Sequence, residues 1–525
     1  MSSHAAPDGG QQARRRGRLA IPWPGLTIPL LVLALLKLPS LFEPHWYTDE
    51  AGYANTAWQM AHGKVLYLTV WNNKPPLLFW IYQLAQGGFG NSELGLHLLS
   101  GVAGLAALAA VFVLARWSLS PRRTWIVMLL GAGLLGTPLL NGDLALPECF
   151  LVAFTAWAMV CVVAARRAQS QPRALLLAGL AGLLLAAGCL VQQTALADAF
   201  AAVLVLLVGR RGWATSAALV SVLVVAIAAV LAPFVAAAGA HRVFFFLVTS
   251  YAGYTTGSLH PSLASVLPRA LALGLLVGGA WAARSWSPQR LVPWVWLGTM
   301  LLAYIIPNRP YVHFLLPAVP AAVLLVGRLD VGRLLRRPTL RTLGALSLGA
   351  STAITGVLWA GLLASGFSGG SLFTIKLTGE YYPAFVGHLT KTLPEATYVS
   401  LYDQRAVAEH AAAVWVAKNG LRGSTGVVWS ADSWDYLLAD LRPVLPVPPI
   451  YMDQLWLGTD TMLNRIRTTK PVVVILTSDA YNQFGPIEPL LRQGYTEVQA
   501  LDQGQLWVRT DVAARILRTA RRAAR

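Results

Sequence analysis

The chain has 525 residues, 56% hydrophobic and only 12% charged, with a formal net charge of +18. That balance excludes an ordinary soluble enzyme and points to a polytopic membrane protein. Its basic residues stand in short clusters between apolar runs rather than interleaved with aromatics along one groove, which argues for membrane topology and against nucleic acid as a partner.

The first element is an apolar run preceded by Arg14, Arg15, Arg16 and Arg18. Phe42-Glu43-Pro44 follows it instead of a small-residue cleavage site, so the run reads as an uncleaved membrane helix behind a basic cytoplasmic tail, residues 1–20. A membrane helix needs roughly 20 mostly apolar residues. Runs near that length fall at 22–42, 92–116, 122–140, 146–165, 173–191, 195–209, 214–238, 267–284, 290–307, 312–329 and 341–364, about eleven helices in a membrane domain spanning 21–367.

Arginines concentrate in alternate loops: Arg116, Arg122 and Arg123; Arg166, Arg167 and Arg173; Arg210 and Arg211; Arg284 and Arg290; Arg328, Arg333, Arg336, Arg337 and Arg341. By the positive-inside rule these loops are cytoplasmic. The acid-bearing loops, with Asp49, Glu50, Asp143 and Glu148, then lie outside. An odd helix count also places the C-terminal region outside. The expected address is the plasma membrane, with a cytoplasmic N-terminus and an extracytoplasmic C-terminal domain.

The count holds only if Pro75–Gly88 does not cross; at about fourteen residues it reads as an interfacial helix started by the two prolines. The spacing of Ala51, Ala54, Trp58 and Ala61 predicts a second surface helix over Asp49–His62. After Ser368-Gly369-Gly370, a linker candidate, the composition changes. Strand candidates Gly426–Ser430, Val472–Thr477, Thr496–Ala500 and Gln505–Val508 alternate with helix candidates Gln404–Lys418, Ser433–Leu441, Thr459–Arg467 and Ile487–Arg492. That alternation predicts an α/β domain over 368–525 with a mostly parallel sheet. The basic tail Ala513–Arg525 is expected to lie on anionic lipid or to dock on this domain. The three cysteines, Cys149, Cys161 and Cys189, lie in or beside apolar runs without metal-knuckle spacing and read as small packing groups.

The longest polar interruption of the membrane domain is the external loop 43–91, containing HWYTDEAGYANTAWQMAHGKVLYLTVWNNKPPLLFWIY. Adjacent acids at a membrane surface are costly to desolvate and usually functional, and the surrounding Trp and Tyr favour the interface. The pattern Asp49-Glu50-x-x-Tyr53-Ala54, then Lys74-Pro75-Pro76-Leu77-x-x-Trp80, resembles the first external loop of glycosyltransferase family 39, the protein-mannosyltransferase-like enzymes of the GT-C superfamily, which includes the lipid A aminoarabinose transferases. The resemblance is strong over Trp46–Tyr82, weaker over the other membrane segments and nearly absent in the last third.

The resemblance implies a GT-C-like polytopic fold. It also implies an inverting enzyme that moves a sugar, hexosyl or pentosyl, from a polyprenyl-phosphate donor to a hydroxyl of a glycan, protein or lipid acceptor. Asp49 then occupies the catalytic position, with Glu50 as the alternative catalytic acid or as a helix-N-terminal acid, and Glu148 as a further catalytic candidate. Glu148, better than Asp143, fits the second acidic loop, where relatives usually carry Asp. Lys74 is suited to the donor phosphate as a fixed point charge. Tyr53, Asp143, Arg242, Tyr251, Gln193, Arg309 and His313 are further substrate-binding candidates. Gln192-Gln193-Thr194-Ala195 resembles a Lys-Gln-Thr-Ala pattern of these enzymes, with Gln192 replacing the lysine. No ligand spacing demands a cofactor, although a divalent cation is compatible. Competing readings are a transporter or lipid flippase, for which Asp198 would be the mid-segment acid, and a wall-binding scaffold.

Overall fold

The computed structural model describes residues 23–250, 263–305, 311–328, 340–364, 369–446, 450–477 and 485–523. Every apolar run coincides with helix. The helices are α1 (Trp23–Lys37, continued by a 3₁₀ turn Leu38–Phe42), α4 (Glu93–Arg116), α5 (Pro121–Gly136), α6 (Pro147–Arg167), α7 (Gln171–Val191), α8 (Leu196–Leu207) and α9 (Gly212–Ala238). After them come Leu263–Ala282, Pro288–Ile305, a 3₁₀ turn Val312–Ala318 running into Val319–Val326, and Leu340–Ala364. Among the described residues, Pro24–Phe42, α4, α6, α7 and α9 are long and apolar enough to cross a membrane, and shorter apolar stretches fall at Gln193–Leu207, Ala240–Thr249, Val266–Ala282, Val312–Val326 and Gly344–Leu358. The protein is a polytopic membrane protein.

Helix starts follow the sequence. Proline occupies the first helical turn of α5, α6 and α7, where a missing N–H costs nothing. Ser120 additionally caps α5, its hydroxyl accepting from the Arg123 N–H at 3.5 Å. Leu176, Leu183, Val224 and Val225 remain exposed on α7 and α9, as expected of side chains that face lipid. Between these two helices, Gly182 meets the Leu219 carbonyl so closely that no side chain would fit, a small-residue contact typical of membrane packing.

The external loop forms two helices, α2 (Thr48–Ala61) and α3 (Pro76–Phe89). Contrary to the expectation of an exposed amphipathic helix, α2 is buried on nearly all sides, from Glu50 to Ala57. One side rests on α3, whose Gln86 and Gln83 side-chain amides donate to the Ala54 and Ala57 carbonyls at 2.8 and 3.1 Å. The other side is covered by the C-terminal region, where the Ser433 carbonyl accepts from Asn55 Nδ2 at 3.2 Å.

The expected linker at Ser368–Gly370 is not one. Ser368 lies outside the described residues, and Gly369 and Gly370 begin a helix, Gly369–Leu389. Tyr381, Tyr398, Tyr402 and Trp434 join the hydrophobic core of the membrane domain. Beyond them, β1 (Thr425–Trp429), β2 (Arg442–Pro443), β3 (Val473–Thr477), β4 (Tyr495–Leu501) and β5 (Gly504–Arg509) form one sheet in the order β2-β1-β3-β5-β4. The sheet is mixed rather than mostly parallel: β1 runs parallel to β2 and β3, whereas β5 is antiparallel to both β3 and β4. Asp502-Gln503, the β4–β5 connection, is too short for the crossover a parallel pair requires.

Alternate residues of β1 and β3 enter opposite cores. Val428, Val473 and Ile475 pack under the helix Gln404–Lys418, and Val427, Trp429, Val474 and Leu476 pack against Met462 and Ile466 of the helix Thr459–Thr469. The C-terminal helix Thr510–Ala523 packs its first turn on the sheet through Val512 and Ala513.

Candidate functional site

Asp49 stands in the first turn of α2, at the end of a tightly held connection from α1. Glu43 anchors that connection, accepting from Trp46 Nε1 at 2.9 Å and from the Tyr381 hydroxyl at 2.5 Å. The His45 ring meets the Asn91 carbonyl at 2.8 Å. Burial raises the Asp49 carboxyl above the ordinary carboxylate range, and the charges of His313 and Lys74 oppose that rise. Glu148, at the second position of α6, is also within the field of Lys74 and accepts from Gln192 Nε2 at 2.8 Å.

Lys74 is held by its backbone. Its carbonyl accepts from the Tyr67 hydroxyl at 2.8 Å, and its N–H donates to Asn72 Oδ1 at 3.1 Å. Its ammonium lies 6.0 Å from the centroid of the Tyr53 ring, within cation–π range. Gln193 ties the same loop down, donating to the Asn73 carbonyl at 2.7 Å and the Leu247 carbonyl at 3.0 Å. His313 packs flat on Tyr311, ring centroids 5.4 Å apart. Asp49, Lys74, Glu148 and His313, with Tyr53 and Gln193 around them, therefore form one cluster at the junction of α2, α3, α6 and the turn Val312–Ala318.

Arg242 sits on the flank of this cluster, its guanidinium 5.5 Å from the Trp71 ring, and Trp71 in turn packs on Phe246. Tyr251 and Arg309 lie outside the described residues.

The adjacent acids diverge. Glu50 points away from Asp49 into a second cluster, where its Oε1 lies 3.2 Å from His97 Nε2 and also accepts the Ala145 N–H. Glu50 stands in the first turn of α2, as the helix-N-terminal reading has it, and is at the same time a buried partner for His97. Glu93, one turn before His97 on α4, lies 3.5 Å from the same nitrogen. Lys37 Nζ donates to the Ser100 hydroxyl at 2.6 Å, and that hydroxyl donates to the Leu144 carbonyl at 2.7 Å. Asp143 belongs here too, not with Glu148: burial pushes its carboxyl up to about 6, against the pull of His97 and Lys37. The two acids of the loop between α5 and α6 thus face different clusters.

Among the described residues, Glu50, Glu93 and His97 are the set whose ligand atoms, all within 4.8 Å of one another, could hold a cation. His97 Nδ1 donates to the Ser40 carbonyl at 2.5 Å, which leaves Nε2 facing both carboxylates, the arrangement of a metal-ligating imidazole. This set belongs to the second cluster and not to that of Asp49. Reading the loops alone missed Lys37, Glu93 and His97. Their signal was present as ionisable residues inside apolar runs, where charge is expensive and seldom incidental.

Asp198, the mid-segment acid, accepts from Trp296 Nε1 at 2.5 Å in the packing of α8 against the helix Pro288–Ile305.

The helical fold with its small C-terminal sheet has counterparts among solved membrane proteins. Residues 73–237, a stretch that includes Lys74, Asp143, Glu148 and Gln193 but not Asp49, match the family described as dolichyl-phosphate-mannose-protein mannosyltransferase. An uncharacterized protein of Aquifex aeolicus (strain VF5) is 29% identical over 126 residues, which is 23% of this chain and about a quarter (25%) of that protein's length. The structure of ArnT from Cupriavidus metallidurans bound to undecaprenyl phosphate superposes with a TM-score of 0.56 at 15% identity, covering 93% of this chain and 98% of that one. The same protein in the apo state gives 0.55 at 15% identity, over 92% and 97%.

Proposed function

We propose that the protein is an inverting glycosyltransferase that moves a sugar from a polyprenyl-phosphate donor to an acceptor hydroxyl at the outer face of the plasma membrane. The observation that carries this reading is a meeting of loops: Gln192 donates to Glu148, adjacent Gln193 donates to the carbonyl of Asn73 beside Lys74, and the Lys74 ammonium lies 6.0 Å from the ring of Tyr53, one turn past Asp49. The loop resemblance and the ArnT fold, with its bound undecaprenyl phosphate, support it.

In this reading Lys74 holds the donor phosphate as a point charge, and Tyr53 and Gln193 fix the loop that carries it. The acceptor hydroxyl loses its proton to the Asp49 carboxylate as its oxygen bonds to the anomeric carbon. The bond from that carbon to the phosphate oxygen breaks on the opposite face, and polyprenyl phosphate leaves with the electron pair. A phosphate needs little protonation to leave, so one carboxylate base suffices. A carboxyl raised above its usual range is a better base than an exposed aspartate, provided it is ionised at working pH. Glu148 and Arg242 complete the electrostatic surround. A cation at Glu50, Glu93 and His97 would brace the loop without touching the donor.

The orientation follows the arginine alternation: N-terminus cytoplasmic, residues 368–525 outside. The test is mass spectrometry of wall glycans, glycoproteins and polyprenyl-phosphate sugars in cells lacking the gene and re-supplied with wild type or Asp49→Asn. A product that wild type restores and Asp49→Asn does not, with the unused donor accumulating, is the expected result. Equal restoration by both would reject the reading.

A further inference from the structure

An open cleft of ≈ 460 Å³ lies between the start of α2 and the C-terminal region, lined by Trp46, Tyr47, Thr48, Tyr402, Asp403 and Arg405, with Ser400 and Gln404 at its exposed rim. We propose that this cleft is the acceptor site and that its ligand is an uncharged, hydroxyl-rich glycan. The inference rests on the glycosyltransferase reading given above and extends it to the second substrate.

Position is the first argument. Lys74, Glu148 and His313 face Asp49 from within the membrane domain, which is the side a lipid-linked donor must occupy. Inversion requires the acceptor oxygen to arrive opposite the leaving phosphate. The cleft opens on Tyr47 and Thr48, the two residues immediately before Asp49. Tyr47 links the two places: half-buried, it lines the cleft and stands two residues before Asp49 in the chain.

Chemistry is the second. Arg405 and Asp403 form a bidentate pair, with Arg405 Nη2 2.6 Å from Asp403 Oδ2 and Nε 3.1 Å from the same carboxylate, each side chain about 20% exposed. The pair cancels its own charge yet keeps planar donors and acceptors in fixed directions, the equipment for sugar hydroxyls rather than for an anion. Ser400 and Thr48 add hydroxyls, Gln404 an amide, and Trp46, Tyr47 and Tyr402 aromatic walls, so the volume and the mixture of three aromatics with a few placed polar groups are those of a small-ligand site. None of the lining residues lies in a strand, so the cleft offers no sheet edge on which a peptide acceptor could align its backbone.

The test exploits the native cysteines, all three buried, which leave the thiol introduced by Ser400→Cys, at an exposed position, as the reactive one. Full-length Ser400→Cys protein is expressed in gene-deleted cells, and a 5 kDa polyethylene-glycol maleimide is added after folding. Thr468→Cys, on an exposed face remote from the cleft, is the labelling control. Labelling the Ser400→Cys protein is expected to lower the glycan product at least tenfold relative to the same unlabelled cells, and labelling the Thr468→Cys protein is expected to leave it unchanged. Purified, labelled Ser400→Cys protein should bind undecaprenyl phosphate within twofold of the unlabelled sample. Undiminished product on complete labelling of Ser400→Cys overturns the proposal, as does an equal loss of undecaprenyl phosphate binding, which would make the cleft a donor route. A product that proves to be a glycosylated protein overturns the assigned ligand class. Failure of the underlying reading is separately visible, because there Asp49→Asn would leave the product intact.

Discussion

Glu50 Oε1 lies 3.2 Å from His97 Nε2, although Glu50 follows Asp49 directly in the chain and Asp49 faces another way. A single residue step along a helix sends successive side chains to faces about 100° apart. The pair DE is therefore two devices: an acid at the substrate side and an acid that clamps the loop to α4. Removing one partner of a buried ion pair leaves the other uncompensated and costs roughly 3–5 kcal/mol. His97→Ala and Glu50→Ala are thus expected to lower thermal stability and protein yield together. A double variant should cost clearly less than the sum of the two, as for residues in direct contact. Thermal unfolding of the purified single and double variants checks this, and additive losses would separate the two residues.

Lys74 should behave differently. Its side chain leans on the Tyr53 ring, its backbone is fixed by Tyr67 and Asn72, and its charge acts on Asp49 and Glu148. Lys74→Ala is expected to weaken binding of polyprenyl phosphate by about ten- to a hundredfold, the worth of one charge-assisted contact at roughly 1.5–3 kcal/mol. Lys74→Arg should lose less, because the positive charge stays. Titration of purified variants with undecaprenyl phosphate gives the numbers, and equal affinity in wild type and Lys74→Ala would remove the lysine from the site.

Lys74 and Asp49 were legible in the sequence because the loop around them carries a specific pattern, and the structure brings them together with Glu148, Gln193 and His313, which the sequence also singled out. The distinction between Asp143 and Glu148 was only half legible: Pro147 pins Glu148 to a helix start, but nothing local says that Asp143 turns back toward Lys37. The helices of the membrane domain were readable because lipid demands long apolar runs. The burial of α2 was not, since the cover over Asn55 comes from Ser433, 378 residues away in sequence. The mixed sheet was misread for a similar reason. Strand existence is local, whereas strand direction is set by connections, and the two-residue Asp502-Gln503 turn was the available clue.

Glu43 supplies a pH prediction. Burial, reinforced by nearby Asp143, pushes its carboxyl up to about 8, while donated hydrogen bonds from Tyr381 and Trp46 pull the other way. A carboxyl whose folded value is raised binds more protons folded than unfolded. Its contribution is therefore fully present at low pH and is lost as pH rises from the ordinary carboxylate range through about 8. Thermal unfolding of wild type is expected to fall between pH 5 and 8, and that of Glu43→Gln to fall less. Parallel curves for the two proteins would contradict the assignment.

Asp49→Asn tests the chemistry most directly. Asparagine keeps the size and most of the hydrogen bonding of aspartate, and the carboxylate takes no part in the Glu50–His97 clamp, so the fold should survive. What disappears is the base. Acid–base groups contribute roughly a hundredfold or more to rate, and transfer should fall by at least that factor. Binding of undecaprenyl phosphate, governed by Lys74, should change little, and loss of one carboxylate from the cluster should, if anything, tighten it. Glu148→Gln is expected to be milder, because Glu148 is already engaged by Gln192. The measurement is single-turnover transfer by purified protein from the polyprenyl-phosphate sugar found to accumulate in gene-deleted cells, with undecaprenyl phosphate binding run on the same preparations. Wild-type turnover in Asp49→Asn would move the base to Glu148. A parallel loss of turnover and lipid binding would instead make Asp49 a group that shapes the donor site.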